Sequence, residues 1–161
     1  MVQQITNDYD LAALKIIPTI GRIVAIDPGI KRIGVAVCDE MQLIARAVEI
    51  IERKSWKKLL VAVRSHLNDF DAVALVIGLP YNTDGSESAM SAEARNISAK
   101  FQLSLSISIF FQDERSTSYE ARGRMWAGRS RGDTKHKKVD AEAASIILGD
   151  FLDRLDSARR S

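Results

Sequence analysis

Residues 22–52 read RIVAIDPGIKRIGVAVCDEMQLIARAVEIIE. The stretch holds three apolar, β-rich runs, at 22–27, 34–38 and 46–52. Pro28-Gly29 marks a turn after the first run, and Asp39 and Glu40 open a polar stretch after the second. Connections this short return each run beside its predecessor in the opposite direction, so the spacing predicts an antiparallel meander.

Beyond the meander the period changes. Trp56, Leu59, Leu60, Val63, Leu67 and Phe70 recur at helical spacing, with Lys57, Lys58, Arg64 and Asn68 between them, which predicts a helix over 56–70. His66 lies among the polar residues of that helix and is expected to face solvent and be inert. Residues 72–78 (AVALVIG) form a nearly all-apolar run, as expected of a strand buried on both faces. LPYNTDGSES (79–88) reads as a loop in which Asp84 and Glu87 have capping-box spacing for the next helix. Met90, Ala94, Ile97 and Phe101 mark the apolar side of that helix. Residues 107–112 predict another strand, followed at once by Asp113, Glu114 and Arg115. Thr117 and Glu120 have capping-box spacing and open a helix to about 127; residues 128–138 (GRSRGDTKHKK) read as a mobile basic loop. The last helix is expected over 139–155, with a frayed tail at 157–161.

The first twenty residues have no continuous apolar core and do not read as a signal peptide. They are expected to be an extension carrying one short helix at 10–17, stopped by Pro18. Residues 21–156 then form one domain of order βββ-α-β-α-β-α-α. This is an α/β fold with a mixed five-stranded sheet, antiparallel meander plus parallel strands, and helices on its faces.

Composition narrows the chemistry. The chain has 161 residues, 46 % of them hydrophobic and 27 % charged, which excludes wholesale disorder. No run approaches the roughly 18–20 apolar residues of a membrane span, so a cytoplasmic location without membrane contact is expected. The single cysteine, Cys38, excludes a disulfide framework and reads as a small core hydrophobe. With only two histidines, His66 and His136, any metal must be held mainly by oxygen, which favours Mg2+ or Mn2+.

The informative acids sit at the ends of elements. Asp27 ends the first strand, Asp113 and Glu114 end the last, and Asp140 is expected in the first turn of the last helix. Asp140, Ala144, Ile147 and Phe151 share one otherwise apolar face, so a carboxylate there is aimed at the sheet. An inward carboxylate is costly unless paired or bound to metal. Brought together, these acids could hold divalent ions that activate water and stabilise the leaving oxygen of a phosphodiester. Each acid also has a plainer reading. Asp27 could be a turn residue, Asp113 or Glu114 could pair with Arg115, and Asp140 could be an anion stabilised at a helix start.

Net charge is +2, but it is unevenly distributed. Residues 115–138 hold eight bases, Arg129 and Arg131 among them, against two acids, a net +6 that leaves −4 for the rest. A cationic segment between Glu114 and Asp140 suits a polyanionic backbone. A solvated helix and loop without a partner is the plainer alternative. The turn DPGIKRIG presents Lys31 and Arg32 between two strands, where they could contact a phosphate; neither a Walker nor a dinucleotide spacing is present. GLPYNTDG supplies Asn82 and Thr83 as donors near a strand end.

Four ordered motifs, IVAIDPGIKRIGVAVCDE, VIGLPYNTDGS, FQDERSTSYEA and KVDAEAASIILGDFL, resemble the YqgF/RuvX family over about residues 22–155. That family comprises small bacterial proteins with an RNase H-like fold, related to RuvC-type Holliday junction resolvases. The first motif here is DPG where the family more often has D-x-G-T. The resemblance implies a divalent-metal nuclease site in which Asp27, Glu114 and Asp140 are catalytic and metal-binding, with Asp113 adjacent. It implies processing of the 5′ end of precursor 16S rRNA, with structured RNA and ribosomal precursor particles as partners. The alternatives are junction resolution on DNA, which needs a symmetric dimer rather than a monomer, and a non-catalytic RNA-binding assembly factor. Lys31, Arg32, Asn82, Arg115, Arg129 and Arg131 are the expected substrate contacts.

Overall fold

Strand β1 (Ile23–Pro28) lies between β2 (Arg32–Cys38) on one side and β4 (Ala74–Leu79) on the other. The computed structural model describes residues 11–114 and 133–161, with side chains described for 12–114 and 141–161. Strand β3 (Ala45–Glu52) extends the sheet beyond β2, and β5 (Ser108–Asp113) extends it beyond β4, giving the order β3-β2-β1-β4-β5. The two tight connections make β1–β2 and β2–β3 antiparallel. Helix α2 (Trp56–Asp69) returns the chain to start β4 parallel to β1, and α3 (Ala89–Ser104) does the same for β5. This is the mixed sheet expected from the sequence.

Strand alternation divides the core in two. Val24, Ile26, Leu75, Ile77, Ile109 and Phe111 face α2 and α3, packing on Leu59, Val63, Ala94, Ile97 and Phe101. Ile23, Ala25, Ala74, Val76 and Phe110 face the last helix, α4 (Asp133–Arg160), against Ala144, Ile147, Leu148 and Phe151. All six residues of β4 are buried, as a strand covered on both faces must be. Cys38 belongs to the α4 side; burial pushes its thiol pKa up, and its Sγ accepts the Ile23 N–H at 3.2 Å.

The ends of the helices differ from expectation. Helix α1 spans only Leu11–Leu14, because the N–H groups of Lys15, Ile16 and Ile17 bond three residues back and tighten the chain before Pro18. The described part of the extension packs on the domain, since Leu14 and Ile17 are buried in the α4-side core. Phe70 caps α2 instead of continuing it, and Asp71 takes a positive φ of 50° to turn the chain into β4. Helix α3 starts at a Ser88–Ser91 capping box, not at Asp84 and Glu87. Asp84 is captured by its own turn, where Oδ1 accepts the Ser86 N–H at 2.9 Å, and Glu87 pairs with Arg95 at 2.5 Å. His66 is packed rather than solvent-facing, with its ring stacked on Phe70 and Nε2 2.5 Å from Glu49 Oε1.

The largest difference is α4. It begins at Asp133 and ends at Arg160, six residues before and five after the expected limits. Nothing from Asp133 to Lys138 breaks a helix, and Asp133 puts a negative residue at its positive end. At the far end Ala158 is buried and Arg159 donates to Gln42 Oε1 at 2.9 Å and to the carbonyls of Ile17 and Pro18, which tie the last turn down. No helix among the described residues is long and apolar enough to cross a membrane.

Candidate functional site

One row of the sheet, near its carboxyl edge, has an unusual composition. Asp27 on β1 pairs with Gly34 on β2. One step beyond the paired Ile26 and Ile77, Asp27 stands beside Gly78 of β4, and Gly78 pairs with Gln112 of β5. The row therefore reads Gly34, Asp27, Gly78, Gln112. By alternation all four belong to the α4 face, where two glycines flank the carboxylate and leave space at its sides.

Glu114 fills part of that space. Its backbone N–H bonds Leu79 O at 3.0 Å, which carries the β4–β5 pairing one residue past the strand. Its side chain is 4 % exposed and lies over Gly78: a Cβ placed on Gly78 would come within 2.3 Å of Glu114 Oε1 and 2.8 Å of Ile147 Cδ1. Only glycine permits this approach. Asp27 stands on the adjacent strand, one strand spacing of about 4.8 Å away. Two carboxylates thus share one face of the sheet, beneath the middle of α4. Asp113 is one residue earlier in the alternation and falls on the α3 side. Arg154 of α4 donates to Phe111 O at 2.9 Å and to Gln112 Oε1 at 3.1 Å, fixing the end of β5 from which Glu114 projects.

Asp140 is the eighth residue of α4, not part of its first turn. The reading of Asp140 as a helix-start anion therefore lapses, because the macrodipole effect is confined to the terminal turn. The backbone puts Asp140 two turns, about 10 Å, N-terminal to Ile147. The far end of α4 is anchored at the amino edge of the sheet by Arg159, so the N-terminal half of the helix runs toward the carboxyl edge. The side chain of Asp140 lies outside the described residues. Among the described residues no group of three or more His, Cys, Asp or Glu could hold a metal ion.

The β1–β2 turn is rigid. A Cβ on Gly29 would sit 2.5 Å from Arg32 O, a backbone atom that cannot yield. Arg53 Nη1 donates to Gly29 O at 3.0 Å, and the Arg53 backbone N–H bonds Lys31 O at 2.9 Å. Lys31 is exposed and Arg32 half-buried on this turn, next to Asp27. Asn82 uses its amide within its own loop, donating to Ser86 Oγ at 3.0 Å and Glu87 O at 3.1 Å. Arg115, Arg129 and Arg131 lie outside the described residues, as does the expected helix opening at Thr117. Lys135, Lys137 and Lys138 belong to α4 rather than to a loop. Sequence reasoning missed Gly78 and Arg53. A lone glycine in an apolar strand is a signal of close approach; nothing local marks Arg53, whose partners come from the β1–β2 turn and from Glu93 of α3.

The sequence pattern of the RuvX family, described as a Holliday junction resolvase, matches residues 21–154. A protein of Anaeromyxobacter dehalogenans named "Putative pre-16S rRNA nuclease" is 36 % identical over 133 residues, covering 83 % of this chain and 97 % of its own length. A protein of the same name from Pseudomonas savastanoi is also 36 % identical, over 136 residues, covering 81 % of this chain and 90 % of its own. Among solved structures, the yeast mitochondrial Holliday junction resolvase superposes with a TM-score of 0.57 at 12 % identity, over 93 % of this chain and 86 % of that one. Thermus thermophilus RuvC in complex with a Holliday junction substrate gives 0.52 at 15 % identity, over 85 % and 97 %. Likeness at such identities speaks for the fold, which is RNase H-like as the resemblance implied. The sheet order, the four ordered motifs and a family match across nearly the whole domain agree: the chain belongs to the RuvX family.

Proposed function

We propose that this protein is a cytoplasmic, divalent-metal-dependent nuclease that trims the 5′ end of precursor 16S rRNA. The observation that carries the reading is the Glu114 carboxylate seated over Gly78 beside Asp27, on the sheet face that α4 crosses. Two carboxylates gathered on one sheet face are a donor set that a divalent cation stabilises in its charged form. The donors are all hard oxygens, which fits Mg2+ or Mn2+. Asp27, Glu114 and Asp140 would hold the metal, and Asp113 is given no part because it belongs to the opposite face. When bound, the metal supplies Lewis acidity that activates water and offsets charge on the departing oxygen of the phosphodiester.

The remaining work falls to the chain itself. The rigid Gly29 turn keeps Asp27 in place and presents Lys31 and Arg32 to phosphates beside the scissile one. Arg115, Arg129 and Arg131, which lie outside the described residues, would add positive charge for the same backbone as the resemblance implies, and Asn82 keeps the 79–88 loop in shape at the strand end. Precursor ribosomal particles would be the natural substrate form. A single site on one protomer suffices for this reaction.

The test is cleavage of a labelled precursor 16S fragment and a DNA four-way junction in parallel, with Mg2+, Mn2+ or EDTA, comparing wild type with Asp27→Asn. Metal-dependent cleavage of the RNA, lost in the variant, is the expected result. Preference for the junction, from a dimer by light scattering, would replace it with resolvase action, the reading that the family's description favours. Salt-sensitive RNA binding with no cleavage under any metal would leave a non-catalytic assembly factor.

A further inference from the structure

On the opposite side of the β1–β2 turn lies a groove of about 380 Å³ that the expected contacts do not include. One wall is Ile30 at the tip of the turn, another is Lys54 and Trp56 where β3 passes into α2, and the third is Glu93 and Lys100 of α3. Arg53, in its floor, pairs with Glu93 at 2.8 Å, so these two charges cancel. Lys54 and Lys100 are exposed and have no carboxylate partner among the described residues. The Lys100 ammonium is not loose: it stands 5.3 Å from the centre of the Trp56 ring, a cation–π contact that holds it at the groove. Trp56 in turn packs on buried Phe101, with ring centres 5.0 Å apart, so the platform under Lys100 is part of the core. The N-terminal turn of α2 adds the positive end of a helix dipole to the same wall. Ile30, 76 % exposed, is a large apolar side chain on the lip of an otherwise cationic site.

Position ties the groove to the candidate active site. Ile30 follows Asp27 by three residues, which span at most about 10 Å. A nucleic-acid strand with one phosphate at Asp27 and Glu114 would carry its neighbouring phosphates over the turn and into the groove within a nucleotide or two. We propose that the groove holds the phosphate backbone of the substrate strand flanking the scissile bond, with Lys54 and Lys100 on successive phosphates and Ile30 against the sugar or base between them. This deepens the nuclease reading and rests on it.

Equilibrium binding of a fluorescein-labelled single strand, as RNA and as DNA of the same sequence, is measured in EDTA across a salt series. Wild type is compared with Lys54→Ala/Lys100→Ala and with Lys54→Arg/Lys100→Arg. Two lost phosphate contacts lower the slope of log affinity against log salt by about 1.5 and weaken binding at least about tenfold at moderate salt. The arginine pair should restore both, and thermal melting should be equal in all three proteins. The nucleic acid that shows the change is the occupant. An unchanged slope in the alanine pair overturns the groove while wild-type cleavage leaves the nuclease reading standing. A lowered slope without metal-dependent cleavage by wild type overturns the nuclease reading and leaves the groove as a nucleic-acid site.

Discussion

At the amino edge of the sheet, Gln42 donates to the carbonyls of Pro18 at 2.8 Å and Gly21 at 2.9 Å and accepts from Arg159 at 2.9 Å. At the carboxyl edge, Asp27 and Glu114 stand among strand glycines. Both edges gather polar side chains from distant segments. At the amino edge the Gln42 side chain finds both acceptors and a donor within the protein, and the result joins the N-terminal segment, the β2–β3 turn and the end of α4. At the carboxyl edge, two carboxylates share one face of the sheet, and the proposed metal site rests on them. The comparison teaches that polar side chains lock one end of this molecule, while the proposed function gives those at the other end a ligand to hold.

The sharpest way to break it is Asp27→Asn. Cleavage should fall at least about a thousandfold with melting temperature unchanged or raised, since removing one of two carboxylate charges on the same sheet face relieves repulsion. A large loss of thermal stability would mean that Asp27 is structural and that both edges are locks. Gly78→Ala comes next. Its Cβ would meet Glu114 Oε1 and Ile147 Cδ1, both ends of side chains that can move aside. Stability should drop by only about 1–2 kcal/mol, whereas activity should fall severely because the displaced group is the carboxylate. Denaturant unfolding and cleavage rate measured on the same preparation separate the two effects.

Gln42→Ala should behave in the opposite way. Three hydrogen bonds are lost from a side chain only 6 % exposed, costing about 1–3 kcal/mol, with cleavage per folded molecule unaltered. Beside it, the backbone N–H groups of Ile44, Leu43 and Met41 hold the Asp39 carboxylate pKa below its usual range. A depressed folded-state pKa stabilises the fold above the unfolded value near 3.9, and that stabilisation is lost as pH falls through the folded pKa. The melting-temperature gap between wild type and Asp39→Asn should therefore be flat above about pH 5 and close below about pH 4. Smallest is Gly149→Ala, on a part of α4 away from both edges. Its Cβ meets nothing within 4 Å, so the helix should gain about 0.5–1 kcal/mol with no change in cleavage.

Much of this was legible because periodicity is a local property. The meander, α2, β4 and β5 follow from the spacing of apolar residues, and each observed boundary is within two residues of its expected position. Asp27 and Glu114 could be singled out because acids at strand ends break an apolar pattern. The full length of α4 was not legible, because Asp133–Lys138 has no apolar face to announce a helix. The cap of α3 is Ser88 rather than Asp84 because the Asp84 carboxylate is held by Ser86 in the preceding turn.

The sequence by itself determined the succession of strands and helices along the chain and the acids that end the first and last strands. Alternation alone already separates Asp113 from Glu114. Only the tertiary structure decided which of them shares the α4 face with Asp27, because that depends on which face α4 covers and how β1, β4 and β5 register. It also decided that Gly78 makes room for Glu114 and that Arg53 locks the Gly29 turn. The physical reason is distance along the chain: Asp27, Gly78, Glu114 and Ile147 are scattered over most of the sequence, and only burial of two apolar sheet faces brings them to one place.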